Sequence, residues 1–255
     1  MSHKLQLHEV LLFAALIALG FIVWEVIGKT PTAALLISAP SKVFRYFATN
    51  TQDLMAALGR TSLEAFAGIL LATAIAFVLM LFCFLLPKLL DALVTFTAVS
   101  QVVPLITLAP LFILVFGIGT LSKVIMACLV CFFPVFMGFA TGVRQISSEV
   151  RTVLYVYNAS VWQRIRWAYL PQSLPSLMSG LKVASTLAVI GAIVAEFNGA
   201  DIGLGKNLFI AAKKLEPELM MSSLILSSLL GGALFLTIVA IERSVGEWYL
   251  HNNSL

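Results

Sequence analysis

The chain has 255 residues, of which 60% are hydrophobic and only 11% charged, with a mean hydropathy of +1.02. Soluble domains carry roughly a quarter charged residues, so this composition excludes an ordinary water-soluble fold and predicts an integral membrane protein. The net charge of +4 is spread along the chain with no basic block, which argues against nucleic acid as a partner and leaves Arg and Lys as topology signals and interface contacts.

A membrane-spanning helix needs about 20 mostly apolar residues. Six candidates are predicted, at about 9–27, 62–86, 92–116, 122–143, 174–196 and 218–241. The expected fold class is therefore all-α, a polytopic membrane helical bundle forming one domain over 1–255. The first span, Val10 to Ile27, is long for the core of a signal peptide and lacks a small-residue cleavage site after it, so it reads as a retained anchor. An even number of spans places both termini on one side. With the termini inside, basic residues divide eight against eight between the two faces, and the positive-inside rule decides nothing. Arginine alone favours the inside, five to two.

Residues 28–61 form a long connection in which Ser38-Ala39-Pro40-Ser41 reads as a helix start. Val43, Phe44 and Phe47 would share a face opposite Lys42 and Arg45. That pattern fits either an amphipathic helix in the membrane interface or a loop helix packed on the spans. The third span carries Pro104 and Pro110, each of which removes a backbone donor and frees a carbonyl near Ser100 or Ile106. Such groups must find partners in protein or along a water-lined cavity. With Gln101 and Thr107 in the same span, this helix is the first candidate for a translocation path.

Cys83, Cys128 and Cys131 all fall in apolar runs and read as core residues. His3, His8 and His251 lie near the termini, and no metal site is expected. Glu149 to Pro171, EVRTVLYVYNASVWQRIRWAYLP, is the longest polar and basic interruption between apolar runs. Asn158 tolerates the left-handed backbone better than most residues, so one helix can stop there. Ser160 or Asn158 could cap a second helix running to about Tyr169, with Trp162, Arg166 and Tyr169 on one face. Leu170-Pro171 would end it and turn the chain into the next span. Such a segment would lie across the inner membrane face and dock something soluble.

The fifth span ends in Ile193-Val194-Ala195-Glu196-Phe197-Asn198-Gly199. Glu196 is either a functional intramembrane carboxylate or a solvated group at a helix end, and Glu64 stands in the same position at the start of the second span. Gly203-Leu-Gly205-Lys206-Asn207 is not a phosphate loop, because Ala200 replaces the leading Gly and Asn207 the closing Ser/Thr. There is no Gly-x-Ser-x-Gly elbow, no His-Glu-x-x-His and no carboxylate pair within one span. Neither catalytic residues nor a cofactor is expected, and uphill transport would draw its energy from a partner or an ion gradient.

From Thr61 onward the chain resembles a permease of the binding-protein-dependent ABC importer family, in its nitrate/sulfonate/taurine branch. That family carries a cytoplasmic loop with Glu-Ala-Ala, a Gly four residues after the last Ala, and Leu-Pro twelve residues beyond the Gly. Aligning on Leu170-Pro171 puts the Gly position at Asn158 and the Glu-Ala-Ala positions at Thr152, Val153 and Leu154. Ala159-Ser160, Trp162-Gln163 and Pro175 match the branch. The acid and the Gly of the pattern are replaced, although Asn158 can serve the backbone role and Glu149 stands one turn upstream. Pro104-Leu-Ile-Thr-Leu-Ala-Pro110, Phe116-Gly-Ile-Gly119, Ser122-Lys123, Phe133-Pro134, Gly191-Ala-Ile-Val-Ala-Glu196 and Gly203-Leu-Gly205 extend the resemblance over 61–250. Glu64 stands where relatives often carry Arg.

The resemblance implies a type I ABC importer permease fold of about six transmembrane helices in a bacterial inner membrane, termini cytoplasmic. It implies two ATP-binding ABC subunits gripping 149–171 through Asn158, Ala159, Ser160, Trp162, Gln163, Arg166, Leu170 and Pro171. It further implies an extracytoplasmic solute-binding protein, and a second copy of the chain or a paralogous permease. The path would run between the two copies past Gln101, Pro104, Thr107, Pro110, Ser185 and Glu196. Nitrate, sulfonates, taurine and small heterocycles such as pyrimidine vitamin precursors or riboflavin are the branch's solutes. With Lys123 and Lys182 only at helix ends, a neutral or heterocyclic solute is favoured over an anion. The alternative class is a secondary transporter or channel without an ATPase, which predicts inverted repeats and mid-membrane coupling residues.

Overall fold

The computed structural model describes residues 7–30 and 36–252, with side chains described except at 7–11, 87, 105 and 245–252. Its α-helices are α1 (Leu7–Lys29), α2 (Pro40–Thr49), α3 (Thr51–Leu85), α4 (Pro87–Ser100), α5 (Ala109–Phe116), α6 (Thr120–Arg144), α7 (Ser148–Val156), α8 (Val161–Arg164), α9 (Leu170–Phe197), α10 (Leu204–Lys214) and α11 (Pro217–Asn252). Among the described residues, five stretches are long and apolar enough to cross a membrane: Leu12–Lys29, Thr51–Leu85, Thr120–Arg144, Val161–Phe197 and Pro217–Ser244. His3 lies outside the described residues, and His8 and His251 are described in backbone alone.

The span expected at 92–116 is not one helix. α4 stops at Ser100, a single 3-10 turn covers Leu105–Leu108, and α5 starts again at Ala109. Pro104 cannot donate to the helix ladder and disfavours helical backbone at Val103 before it. The freed groups are satisfied locally, Val103 N–H donating to Ser100 O at 3.2 Å and Thr107 N–H to Pro104 O at 2.9 Å. The second span departs in the other direction: α3 begins at Thr51 rather than 62 and runs 35 residues. At 1.5 Å per residue it is about 52 Å long, about four turns more than a straight crossing of the roughly 30 Å hydrocarbon thickness needs.

The core is a three-helix unit of α3, α6 and α9, and α6 against α9 is its closest contact. Small residues allow that approach. A Cβ added at Gly138 would lie 2.7 Å from Ser176 O, one at Gly142 2.6 Å from Ser173 Cα, and one at Gly191 2.9 Å from Ala127 Cα. A Cβ at Gly180 would collide with Pro134 O and come within 3.2 Å of Gly138 Cα. Gly68 brings α3 onto Ala127 in the same way. Lipid gives apolar helices no hydrophobic reason to associate, so close backbone approach supplies the van der Waals contact instead. Between the glycines sit Ala72, Ala76, Cys131, Val135, Phe136, Ala184 and Ala188, all buried. The three cysteines are free and buried, and Cys131 Sγ donates to Ala184 O at 3.2 Å.

α11 covers α9, where Lys182 Nζ donates to both oxygens of Glu242 at 2.9 Å. α1 stands at the periphery, most of its described side chains exposed. It is tied to α2 by Glu25, which accepts from Ser41 N at 3.0 Å and Ser41 Oγ at 2.6 Å, and by Trp24 Nε1 donating to Ser38 O at 3.1 Å. α2 is a packed connector, with Val43 buried and Phe47 half-buried against the bundle. Phe44 does not share that face and is 79% exposed, because it lies 100° round the helix from Val43.

Substituting Gly180→Ala should wedge α6 from α9 and cost about 1–3 kcal/mol as an overpacked core. Gly231→Ala, inside α11 with nothing within 4 Å of the new methyl, should cause no loss of stability, since alanine is the better helix former. Thermal unfolding of both variants in detergent against wild type checks the difference.

Candidate coupling and gating sites

At one end of the bundle α6 stops at Arg144, and Ser147 Oγ accepts from Val150 N at 3.4 Å to open α7. Glu149 stands in the first turn of α7, where the helix dipole favours an anion. Its carboxyl is held below the ordinary range by its own backbone N–H first and by the Ser147 and Ser148 hydroxyls next. α7 ends before Asn158, whose φ of 48° is left-handed. Ser160 then starts the next helix with a reciprocal capping box: Ser160 N donates to Gln163 Oε1 at 2.8 Å and Gln163 N to Ser160 Oγ at 3.3 Å. The break at Asn158 and the Ser160 cap lie where the sequence put them.

Leu170-Pro171 does not end that helix. Residues 165–169 form a π-turn in which Leu170 N–H donates to Ile165 O, five residues back. The widened turn accommodates Pro171, which has no N–H to give and whose ring would crowd a regular α-turn. α8 therefore runs on into α9 as one 37-residue helix, Val161–Phe197. The predicted face is also different. Trp162 and Arg166 are exposed, but Tyr169 turns inward onto Phe84, ring centroids 5.1 Å apart. The outward surface is instead Tyr155, Tyr157, Trp162 and Trp167, with the Arg166 guanidinium 5.5 Å from the Trp167 ring. Tyr155, Tyr157 and Trp167 went unread in the sequence, although an aromatic in a polar interruption has little reason to be there except contact. Ala159 is half-buried under this surface.

The six path candidates do not meet. Gln101, Pro104, Thr107 and Pro110 are exposed along the broken α4–α5 segment. Ser185 is buried with its hydroxyl donating to Lys182 O at 2.7 Å, within its own helix. Glu196 is also buried, at the other end of the bundle.

Glu196 belongs to a buried polar cluster. Its Oε1 accepts from Thr61 Oγ1 at 2.7 Å and its Oε2 from Gly205 N at 2.6 Å, while Leu204 N donates to Thr61 Oγ1 at 2.9 Å. One carboxylate and one hydroxyl thus satisfy the first two N–H groups of α10, which its helix dipole reinforces. Gly203, at φ 154°, has no side chain because the Glu196 carboxyl occupies that space. Beside it Glu64 Oε1 accepts from Arg60 Nε at 3.1 Å, Arg60 Nη2 donates to Thr120 Oγ1, and Lys123 Nζ donates to Ile118 O. Glu64 Oε2 is buried without a hydrogen-bond partner. Glu64 and Glu196 are therefore not solvated helix-end groups, and Lys123, near the start of α6, is only 1% exposed. The sequence places Lys123 at a helix end, and it does stand in the first turn of α6; its burial there was not visible in the sequence.

Residues 86–245 match the binding-protein-dependent transport system inner membrane component family, and the chain belongs to that family. It is a multi-pass inner-membrane permease component of the ABC transport class. It is 34% identical over 158 residues to the riboflavin transport system permease protein RibX of Chloroflexus aurantiacus, a match covering 62% of this chain and 59% of that protein. It is 29% identical over 232 residues to the formylaminopyrimidine transport permease protein ThiX of Halalkalibacterium halodurans, covering 89% and 91%. Against the taurine transport system permease protein TauC of Escherichia coli it is 26% identical over 202 residues, covering 79% and 72%.

Glu196→Ala should free the start of α10 and strand Thr61, a loss of about 2–3 kcal/mol for hydrogen bonds to a charged group. Limited proteolysis at 199–206 should accelerate in the variant while the α6–α9 unit remains protected.

Proposed function

We propose that this chain is the membrane-spanning half of an ATP-driven importer, coupled to two ATPase subunits through 149–171. The observation that carries the reading is the projecting surface around Asn158. Exposed Tyr155, Tyr157, Trp162, Trp167 and Arg166 surround a left-handed hinge, and aromatic and Arg side chains are what protein interfaces concentrate. In this reading that end faces the cytoplasm and the interrupted segment from Asp91, beside Arg144, to Thr120, beside Arg60, crosses as a sixth span, so both termini are cytoplasmic and the α10 end meets an extracytoplasmic binding protein. A second copy of the chain completes the path, with Gln101, Pro104, Thr107 and Pro110 lining it. Ser185 and Glu196 act from inside the subunit as packing and latch residues.

The mechanism follows from continuity. Ser160, Trp162, Gln163 and Arg166 sit at the root of the helix that ends at Phe197, so force applied by the ATPase travels along one continuous 37-residue helix. At the far end of that helix Glu196 holds α10, and tilting it moves the α10 gate. The solute is a small heterocycle. Two of the relatives are named for riboflavin and formylaminopyrimidine. Lys123, Lys182 and Arg60 are each engaged by a carbonyl or carboxylate rather than presented to an anion.

Affinity purification of the tagged chain in mild detergent should bring down an ATPase subunit. Trp162→Ala or Arg166→Glu should cut its recovery and solute uptake at least about tenfold, the effect of losing one interface anchor, with the permease still in the membrane. Uptake at wild-type level in both variants would sink the docking reading. A cysteine replacing Ser160 should react with impermeant thiol reagents from the cytoplasmic side alone, and labelling from outside would invert the topology.

A further inference from the structure

Between the docking segment and the bundle lies a cavity of about 370 Å³, walled by Arg144, Arg151 and Arg164 with Asp91, Tyr169 and Phe84. Three guanidiniums from three different helices, α6, α7 and α8, thus meet a single carboxylate. Asp91 balances only one of them, pairing with Arg144 at 2.5 Å, and is itself 79% exposed. The other two are fixed in place without being neutralised. Arg151 donates Nε to Ile146 O at 3.2 Å and Nη2 to Val143 O at 3.4 Å, and Arg164 donates Nε to Ala159 O at 2.8 Å. One of these carbonyls is in the last turn of α6 and two are in the connections flanking α7, so a purely structural role accounts for one or two N–H groups on each arginine. A guanidinium has five, and the remainder stay available on arms whose rotamers are already set.

We propose that this cavity is a binding site for a phosphate-bearing anion. A tetrahedral phosphate accepts from several planar forks at once, which is the geometry that arginine serves best. Two sources share that chemistry: an anionic phospholipid headgroup of the adjacent leaflet, or a free phosphate compound in the cytoplasm. The second source rests on the reading above that this end faces the cytoplasm; the site itself does not. A bound phosphate would tie the end of α6 to α7 and α8 across the Asn158 hinge. It would therefore stiffen the docking segment against the bundle, making the anion a determinant of how firmly motion at the segment reaches α9.

The test is binding by the purified full-length chain, scored apart from ATPase capture so that either reading can fail alone. Thermal unfolding is followed in neutral detergent with inorganic pyrophosphate against chloride at equal ionic strength. A second arm uses nanodiscs of phosphatidylglycerol against phosphatidylcholine, with retained lipid counted by native mass spectrometry. A saturable pyrophosphate shift identifies a free phosphate compound, and preferential retention of phosphatidylglycerol identifies the headgroup. Arg144→Gln should weaken whichever is seen by about tenfold, the value of one charge-assisted contact. Asp91→Asn removes the competing carboxylate and should tighten it by a similar factor, an effect opposite in sign to fold damage. No response to either anion in the wild type, or a response indifferent to both substitutions, overturns the site.

Discussion

The close contact of α6 with α9 is the constraint on which the rest of the structure depends. In a bilayer two apolar helices gain nothing by leaving lipid for each other unless their backbones come near. Gly138, Gly142, Gly180 and Gly191 make that possible, and Pro134 O fills the space a side chain at Gly180 would need. Because the two rods fit at that distance, α3 can lie on them through Gly68 and Ala127, and the buried side chains around Phe136 and Ala184 close into one core. Every other element is added to this unit from outside.

From that fixed seam α9 extends both ways. Its near end passes through the π-turn into α8, so the helix is continuous from Val161 to Phe197; the break in the chain lies at Asn158. Its far end is Glu196, whose carboxylate holds the start of α10 to Thr61 on α3. Buried charge in a membrane is costly and persists where several partners share it. In the cluster, Arg60, Lys123 and Glu196 each have a partner, while Glu64 is held through Oε1 alone and its Oε2 is unpartnered; it sits where α9, the start of α3 and α10 converge. A displacement of α9 would thereby reach both ends, which is the property that the proposed coupling draws on.

The broken segment 87–116 has a different character. Its prolines prevent a continuous helix, its breaks are satisfied within a few residues, and its large side chains, Phe96, Val102, Ile106 and Leu114 among them, are exposed. A loosely laid segment over a tight three-helix unit can adjust to a neighbour without disturbing the core.

Composition and hydropathy alone established an all-helical membrane bundle, because the need to satisfy backbone groups inside lipid leaves few other folds. The Asn158 break and the Ser160 cap were equally legible, since both are decided by residues within one turn. Pro104 and Pro110 announced an interrupted span but not where it would restart. The inward turn of Tyr169, the passage of the helix through Leu170-Pro171 and the burial of Lys123 were not readable. The first depends on a partner distant in sequence, Phe84; the second on a π-turn that residue propensities do not announce; the third on how the chain before α6 folds back so that Ile118 O receives the ammonium. Local propensity writes where a helix begins; which of its faces is buried, and which carboxylate holds which helix end, was decided only when α3, α6 and α9 came together.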